Sequence, residues 1–165
     1  MKVLERARWP HDEDVPQIPG FVHSSFSPLV AAVADRCLTQ RYGERPATAE
    51  RTAVVLVTSS GDRASAEHVA HTVATGGRPG PLFFFQSVPN SVAGYVAARW
   101  GLRGPVVCVS PAGDPLEDGL AQAELLIEDG SCDEALVVLV EQSDHDTAEA
   151  VLARGSTGEG MGPHG

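Results

Sequence analysis

"SVPNSVAGYVAARWGLRGPVVCVSPAGDPLEDGLAQAELLIEDGSCDEALVVLVEQ", residues 87–142, is the stretch that decides the fold. Residues 91–100 have the apolar spacing of a helix, and residues 105–110, PVVCVS, form a short apolar run typical of a buried strand. After a turn, residues 115–129 predict a second helix and residues 134–142 a second strand. This order is typical of an α/β domain in which helices pack on a sheet.

The residues before this stretch extend the same alternation. Ser27 is the predicted N-cap of a helix that has Pro28 in its first position and stops at Gly43. Residues 53–58, AVVLVT, predict a strand buried on both faces, and residues 63–75 predict the helix that follows it. The sequence therefore predicts a mixed or parallel sheet with right-handed crossovers.

A length of 165 residues indicates one domain. Residues 1–25 are rich in Pro, His and charge, and we expect an extended arm there. Residues 26–154 form the predicted domain, within which residues 143–154 are predicted to be a short helix. Residues 155–165, GSTGEGMGPHG, predict a disordered tail because they lack the apolar side chains needed for a core.

Composition excludes several classes of function. The formal net charge is -10, from 12 Lys+Arg and 22 Asp+Glu, which argues against binding to nucleic acid or to anionic membranes. No apolar run approaches the roughly 20 residues of a membrane span, and the N-terminus has no signal-peptide core, so we expect a cytoplasmic protein. The three cysteines form no CxxC pair, and we expect no disulfide in a reducing compartment.

Metal and cofactor sites are not expected. Among the six histidines, only His68 and His71 have ligand spacing, on one face of the predicted helix, and no third ligand is near them in sequence. The alternative, a partly exposed helix face, accounts for the pair equally simply. We therefore predict no metal and no cofactor.

The stretch that decides the fold also carries a family resemblance, which spans roughly residues 26–142. SVPNSVAGYVAARWGLRGP is similar to a helix of the β-ketoacyl synthases, with Pro-Asn at its start, Ala-Gly within it and Gly-Leu-x-Gly-Pro at its exit. The remainder follows that family's strand, nucleophile turn, long helix and Gly-x-Cys/Ala-Asp-x-Ala-Leu-Val strand. The resemblance, closest to the chain-length-factor subunits and short ketosynthase-like N-terminal domains, implies half of a thiolase-like fold, with helices packed on a mixed sheet.

The sequence departs from the family where the catalytic cysteine is expected. Counting from the Gly-Pro exit, the family's Thr-Ala-Cys turn places its Ala on Ala112 and its nucleophile on Gly113. Cys108 comes five residues too early, inside the strand, where we expect a buried and unreactive thiol. The sequence also has no counterpart of the family's C-terminal half, with its polar catalytic partners. We therefore expect no autonomous ketosynthase activity.

Other residues remain candidates for a ligand or catalytic site. The turn Ala112, Gly113 and Asp114 begins the long helix, where amides can hold a thioester carbonyl; Asp114, followed by Pro115, is more simply an N-cap. The weak candidates for a nucleophile are serines after strands, with two helical histidines as bases: Ser110, Ser59, Ser60, His68 and His71. The aromatic run Phe83, Phe84 and Phe85 is either the wall of an acyl-chain groove or simple core.

Three functions follow from these observations. The first is a catalytically degenerate, homodimeric accessory, scaffold or acyl-chain-binding protein of polyketide biosynthesis. The second is a small hydrolase or cyclase that acts on a carrier-bound chain, and the third is a subunit that completes another ketosynthase. The resemblance implies a dimer interface at Tyr95 and along the strand before the turn, Val106, Val107, Cys108, Val109 and Ser110, and an acyl carrier protein or a ketosynthase subunit as further partner.

Overall fold

The computed structural model describes most of the chain. The described residues are 1–10, 13–21, 24–44, 51–59, 61–78 and 89–156. The predicted disordered tail lies mostly outside them. No helix in these ranges is both long enough and apolar enough to cross a membrane.

The strands of the described residues form one mixed sheet of five, in the order β1-β5-β4-β2-β3. β2 pairs in parallel with both β3 and β4, whereas β5 pairs antiparallel with β4 and with β1. The strands are β1 (Lys2–Trp9), β2 (Thr52–Val57), β3 (Val106–Val109), β4 (Glu134–Glu141) and β5 (Thr147–Arg154). The predicted mixed α/β sheet is confirmed.

Helices cover the two faces of the sheet unequally. The four helices of the described residues are α1 (Phe26–Tyr42), α2 (Arg63–Ala74), α3 (Pro89–Trp100) and α4 (Pro115–Glu128). α1 and α3 pack with the larger apolar core on one face, which includes Leu56, Leu136 and Leu152. α4 packs on the other face, over the alternate residues Val55 and Val137 of β2 and β4. The alternation of side chains along each strand supplies both cores.

The continuous apolar runs of β2 and β4 give strands in the centre of the sheet, as predicted. β3 differs: among the described strands it lies at the edge of the sheet, with alternately exposed and half-buried residues, so the prediction of a second buried strand was wrong in this respect. Its apolar composition alone does not distinguish an edge strand from a central one, because the number of neighbours is set by the sheet order.

Two segments form strands that the sequence patterns missed. Residues 143–154 were expected to form a short helix, and that prediction is wrong: residues 147–154 form β5, which is bonded on both sides. Their Ala, Glu, Leu and Arg favour a helix locally, but pairing with two strands overrides that preference. The amino-terminal segment, expected to be an extended arm, contributes β1 to the edge of the sheet.

The start of α1 also differs from the prediction. The helix begins at Phe26 with Ser25 as N-cap, not with Ser27, which is buried inside the first turn. The hydroxyl of Ser25 caps no backbone amide and instead donates to Asp146 Oδ2 at 2.7 Å. Pro28 still lies in the first turn, where its missing N–H costs nothing.

Gly104 explains why the Gly-Leu-x-Gly-Pro exit of α3 needs its second glycine. The Gly104 amide donates to the carbonyl oxygen of Thr52 at 3.0 Å. A Cβ at this position would lie 2.5 Å from the carbonyl carbon of Thr52. The close approach brings the chain entering β3 against the start of β2.

Candidate functional site

The turn before α4 is the place where the resemblance puts a nucleophile. Asp114 is the N-cap, as predicted: its Oδ1 accepts the amide of Glu117 at 2.9 Å, and Pro115 occupies the first helical position. Ala112, Gly113 and Asp114 are all exposed. The turn therefore presents its backbone to solvent, and Gly113 offers no side chain for chemistry.

The amides of this turn are already bonded within the molecule. Oδ2 of Asp118 accepts hydrogen bonds from the amides of Ala112, at 2.8 Å, and Gly113, at 2.9 Å. A carboxylate oxygen thus lies where two amides would otherwise be free to stabilise an oxyanion. Sequence reasoning missed Asp118, although an acidic residue in the first turn of a helix is a common partner for free amides.

A groove of about 710 Å³ borders the turn at the carboxyl ends of β2 and β4. Its floor is apolar and includes Val57, Leu139 and Leu116. The β1 and β5 side carries charged and polar side chains, from Arg6, Arg8, Thr147 and Glu149. The β1 residues of this groove could not be predicted from local sequence patterns, because only the strand order places the amino terminus beside β5 and within reach of the turn.

The three thiols are all outside this groove. Cys108 is exposed on β3, where the sequence analysis expected a buried residue; its Sγ lies 2.9 Å from Asn90 Oδ1, and desolvation raises its pKa. Burial raises the pKa of Cys37 to about 12, and desolvation also raises that of Cys132. A raised pKa leaves each sulfur protonated near neutral pH and therefore a poor nucleophile.

The serine and histidine candidates lie at the end of β2, on α2 and at the end of β3. Ser59 is exposed, and its amide donates to Glu141 Oε1 at 2.6 Å. His68 and His71 are exposed on α2, and Ser110 is exposed directly after β3. Ser60, Phe83, Phe84 and Phe85 lie outside the described residues. A hydrolytic serine–histidine site and an aromatic acyl groove stay predictions.

A buried polar network joins the ends of three elements, α1, α2 and β4. Ser24 Oγ donates to Asp62 Oδ1 at 2.6 Å, and Gln142 Nε2 donates to Ser25 Oγ at 3.1 Å. Gln142 Oε1 accepts the amide of Ala64 at 3.2 Å. Because Asp62 and Gln142 are both about nine-tenths buried, these bonds satisfy groups that would otherwise be costly to bury. The network fixes the starts of α1 and α2 against the end of β4.

The expected dimer strand has one free edge. In the described part of the chain β3 pairs with β2 alone, and Val106 is 37% exposed. Tyr95 is half-buried on α3, where its ring meets the edge of Phe21 at a centroid distance of 6.0 Å. An unpaired edge is a template for pairing with another chain, so β3 is available for an interface. Whether Tyr95 takes part in it stays a prediction.

No cluster of three or more His, Cys, Asp or Glu side chains with the geometry of a metal site occurs in the ranges that the structure describes. His68 and His71 therefore lack the further ligands of a closed zinc site within those ranges.

Comparison with known proteins identifies the family. Residues 8–154 match the family described as beta-ketoacyl synthase, N-terminal domain. The chain therefore belongs to this family, as its motifs indicated. A search of curated proteins found no match.

Solved structures agree in fold. A chain of the ketosynthase ApeO in complex with its chain length factor ApeC, from Xenorhabdus doucetiae, has a TM-score of 0.73 at 19% identity, over 94% of this chain and 79% of that one. The ishigamide ketosynthase/chain length factor has a TM-score of 0.75 at 20% identity, over 90% of this chain and 49% of that one. At these identities the similarity shows the thiolase-like fold of ketosynthases.

A third solved structure, AntDE:AntF, is described as a type II polyketide acyl-carrier protein in complex with its ketosynthase. It matches with a TM-score of 0.59 at 13% identity, over 79% of this chain and 47% of that one. The chain thus spans about half the length of two of these three structures. It is a β-ketoacyl synthase N-terminal domain that shares its fold with these ketosynthase and chain-length-factor structures.

Proposed function

We propose that the chain is a catalytically silent, ketosynthase-like accessory subunit of polyketide biosynthesis. The observation that supports this most is the turn before α4. Gly113 stands where the family resemblance expects a thiol, and the amides of Ala112 and Gly113 already bind Asp118. Acyl transfer needs both a nucleophile and donors for the developing oxyanion, and this turn offers neither.

The free edge of β3 supports the second part of the proposal, a partner subunit. An exposed strand edge favours pairing with a second chain. Two of the similar structures are ketosynthase and chain-length-factor assemblies. We propose a ketosynthase subunit as the partner on this edge. The alternative is that a second copy of the chain binds this edge. We further propose an acyl carrier protein as a transient partner. The proposed location of the protein is the cytoplasm.

The groove supports a role in holding an acyl chain. Its apolar floor of Val57, Leu116 and Leu139, next to the silent turn, suits a hydrocarbon segment. In this proposal the chain contributes a surface that contacts the growing polyketide, while the partner subunit performs the condensation.

The catalytic part is tested by acylation. The purified chain is incubated with acetyl-, malonyl- and octanoyl-coenzyme A, and its intact mass is measured after removal of free thioester. We expect no stable acyl adduct on the wild-type chain and no thioester hydrolysis above the uncatalysed rate. The Cys108→Ser variant controls for slow chemical acylation of the one exposed thiol. Turnover, or an adduct that persists in Cys108→Ser, contradicts the proposal.

The partner is tested at the edge strand. The chain is co-expressed with ketosynthase subunits from the same organism and recovered through an affinity tag. Val106→Lys places a charge on the free edge of β3, and Val3→Lys is the matched control on the opposite edge strand, where Val3 is 50% exposed. We expect Val106→Lys to lose the ketosynthase and Val3→Lys to retain it. Equal retention by both variants contradicts the proposed edge.

A further inference from the structure

The two faces of the sheet differ in how much of them is covered. Two helices, α1 and α3, pack on one face, whereas α4 is the helix that the described residues place on the other. α4 contacts mainly β2 and β4, so the part of this face towards β5 and β1 borders the open groove. We call this part of the molecule, from α4 across the groove to β1, the α4 face.

Apolar side chains run along the groove side of α4. Leu116 lines the groove, and Leu120 follows it one helical turn later on the same side. Both are half-buried, and the groove floor beside them includes Leu139. Leu120 also packs against the core between α4 and the sheet, so Leu116 is the leucine of this pair that α4 presents to the groove.

Opposite charges lie on the two sides of the groove. On the β1 side, Arg6 and Arg8 share one carboxylate, that of Glu149, with Arg8 Nε 3.8 Å from Glu149 Oε1. The Arg8 side chain is 72% exposed. On the other side, Asp114 lines the groove, and α4 carries Glu117, Glu124 and Glu128 and contains no Lys, Arg or His, while the carboxylate of Asp118 is bonded to the turn amides. The β1 side therefore has an excess of positive charge and the α4 side an excess of negative charge.

This distribution is self-complementary. A two-fold axis can lie in the plane of the interface and run parallel to the groove. Rotation about this axis places the β1 side of one chain opposite the α4 side of the other, at the same height along the strands. The Glu117 side of α4 then meets the partner subunit's Arg8, and the reverse contact forms by symmetry.

We propose that the α4 face is a self-association surface whose occupant is a second copy of this chain. A uniformly acidic partner is attracted to Arg8 but repelled by α4, and a uniformly basic partner meets the reverse conflict. Only a surface with both signs in the opposite order fits, and the chain's own α4 face has that order. The inference goes beyond the proposed function: β3 lies at the opposite edge of the sheet from β1, so both surfaces can be occupied together.

The experiment uses reciprocal charge reversal. Molar mass of the full chain is measured by light scattering across a dilution series for wild type, Arg8→Glu and Glu117→Arg. We expect a wild-type dimer and at least a tenfold higher dissociation constant for each variant, because like charges meet in both symmetric contacts. An equimolar mixture of the two variants is expected to restore dimerisation to near the wild-type level. In the mixed dimer the two reversed side chains, which have opposite charges, face each other in one contact, and the native pair forms in the other.

Two controls separate this surface from other interfaces. Arg103→Glu makes the same charge change on an exposed residue before β3, and we expect it to dimerise like wild type. Val106→Lys, on the β3 edge, is also expected to dimerise. Circular dichroism verifies that each variant is folded, and the milder pair Arg8→Ala and Glu117→Gln replaces any that is not.

The proposal is overturned if the wild-type chain stays monomeric at 100 micromolar, if neither charge reversal weakens the dimer, or if the mixture does not restore it. If Val106→Lys dissociates the dimer and Arg8→Glu does not, the homodimer forms at the β3 edge, and this result also overturns the proposal. None of these results depends on acylation, so failure here is distinguishable from failure of the proposed function.

Discussion

Replacing Gly104 by alanine tests the close approach of β2 and β3. The added Cβ would lie 2.5 Å from the carbonyl carbon of Thr52 and 2.6 Å from the amide nitrogen of Ala53. Ordinary contact begins at 3.4 Å, so the two chain segments must separate by about 0.9 Å. Both atoms that the Cβ meets belong to backbone, which cannot rotate away as a side chain can.

The magnitude follows from two terms. Overpacking of this kind costs about 1–3 kcal/mol. The same displacement lengthens the hydrogen bond from Gly104 to Thr52, now 3.0 Å, to a distance at which it no longer counts as one, for a further loss of about 1 kcal/mol. We expect the free energy of unfolding to fall by about 2–4 kcal/mol, a large share of the usual 5–15 kcal/mol.

Urea unfolding followed by circular dichroism measures this change, and two other glycines serve as matched controls. A Cβ at Gly113 or Gly94 meets nothing within 4 Å, and neither has a positive φ. Gly113→Ala should therefore change stability by no more than about 0.5 kcal/mol. Gly94→Ala, in α3, should stabilise by about 0.5–1 kcal/mol. If Gly104→Ala loses no more stability than Gly113→Ala, the close approach does not exist and the reasoning fails.

Three further predictions concern the thiols, the phenol of Tyr42 and the carboxylate of Asp118 that accepts the turn amides. A thiol reagent should modify Cys108 alone in the native protein, slowly because its pKa is raised, and should reach Cys37 and Cys132 only after unfolding; rapid native modification of all three would contradict their burial. Burial and the hydrogen bond to a carboxylate raise the pKa of Tyr42 from 10.0 to about 12, so its contribution to stability is full below pH 10 and is lost as pH rises towards 12. Stability of Tyr42→Phe should fall less steeply over that range, and identical slopes would refute the shift. Asp118→Ala removes the acceptor for two turn amides and should cost about 0.5–2 kcal/mol in thermal unfolding, against a smaller loss for Asp118→Asn; no loss for Asp118→Ala would show that the bonds are unimportant.

Local sequence patterns correctly predicted the elements whose surroundings follow from their own side chains. β2 and β4 are apolar throughout, and such runs are stable only inside a sheet covered on both faces. Asp114 with Pro115 has the chemistry of a helix start wherever it occurs, so the beginning of α4 was predicted correctly. The absence of a thiol at Gly113 could likewise be read directly, once the motif had set the register.

Local patterns were misleading where partners decide the structure. Residues 147–154 have helix-favouring side chains, yet they form β5 because strands on both sides satisfy their backbone groups. Cys108 was expected to be buried and is exposed, since β3 ended at the edge of the sheet. An apolar tetrapeptide carries no information about how many neighbours it will have.

The sequence by itself determined the family, the α/β class and the glycine at the position where the motif places a nucleophile, because motif order and residue identity are properties of the chain alone. Only the tertiary structure decided that the carboxylate of Asp118 accepts hydrogen bonds from the amides of the turn. It also decided that Arg6 and Arg8 lie across the groove from an acidic helix more than 100 residues away in the chain. These relations depend on the antiparallel return of β5 and on the pairing of β1 beside it. Strand order is set by the total burial and hydrogen bonding of the whole sheet, which no short segment encodes.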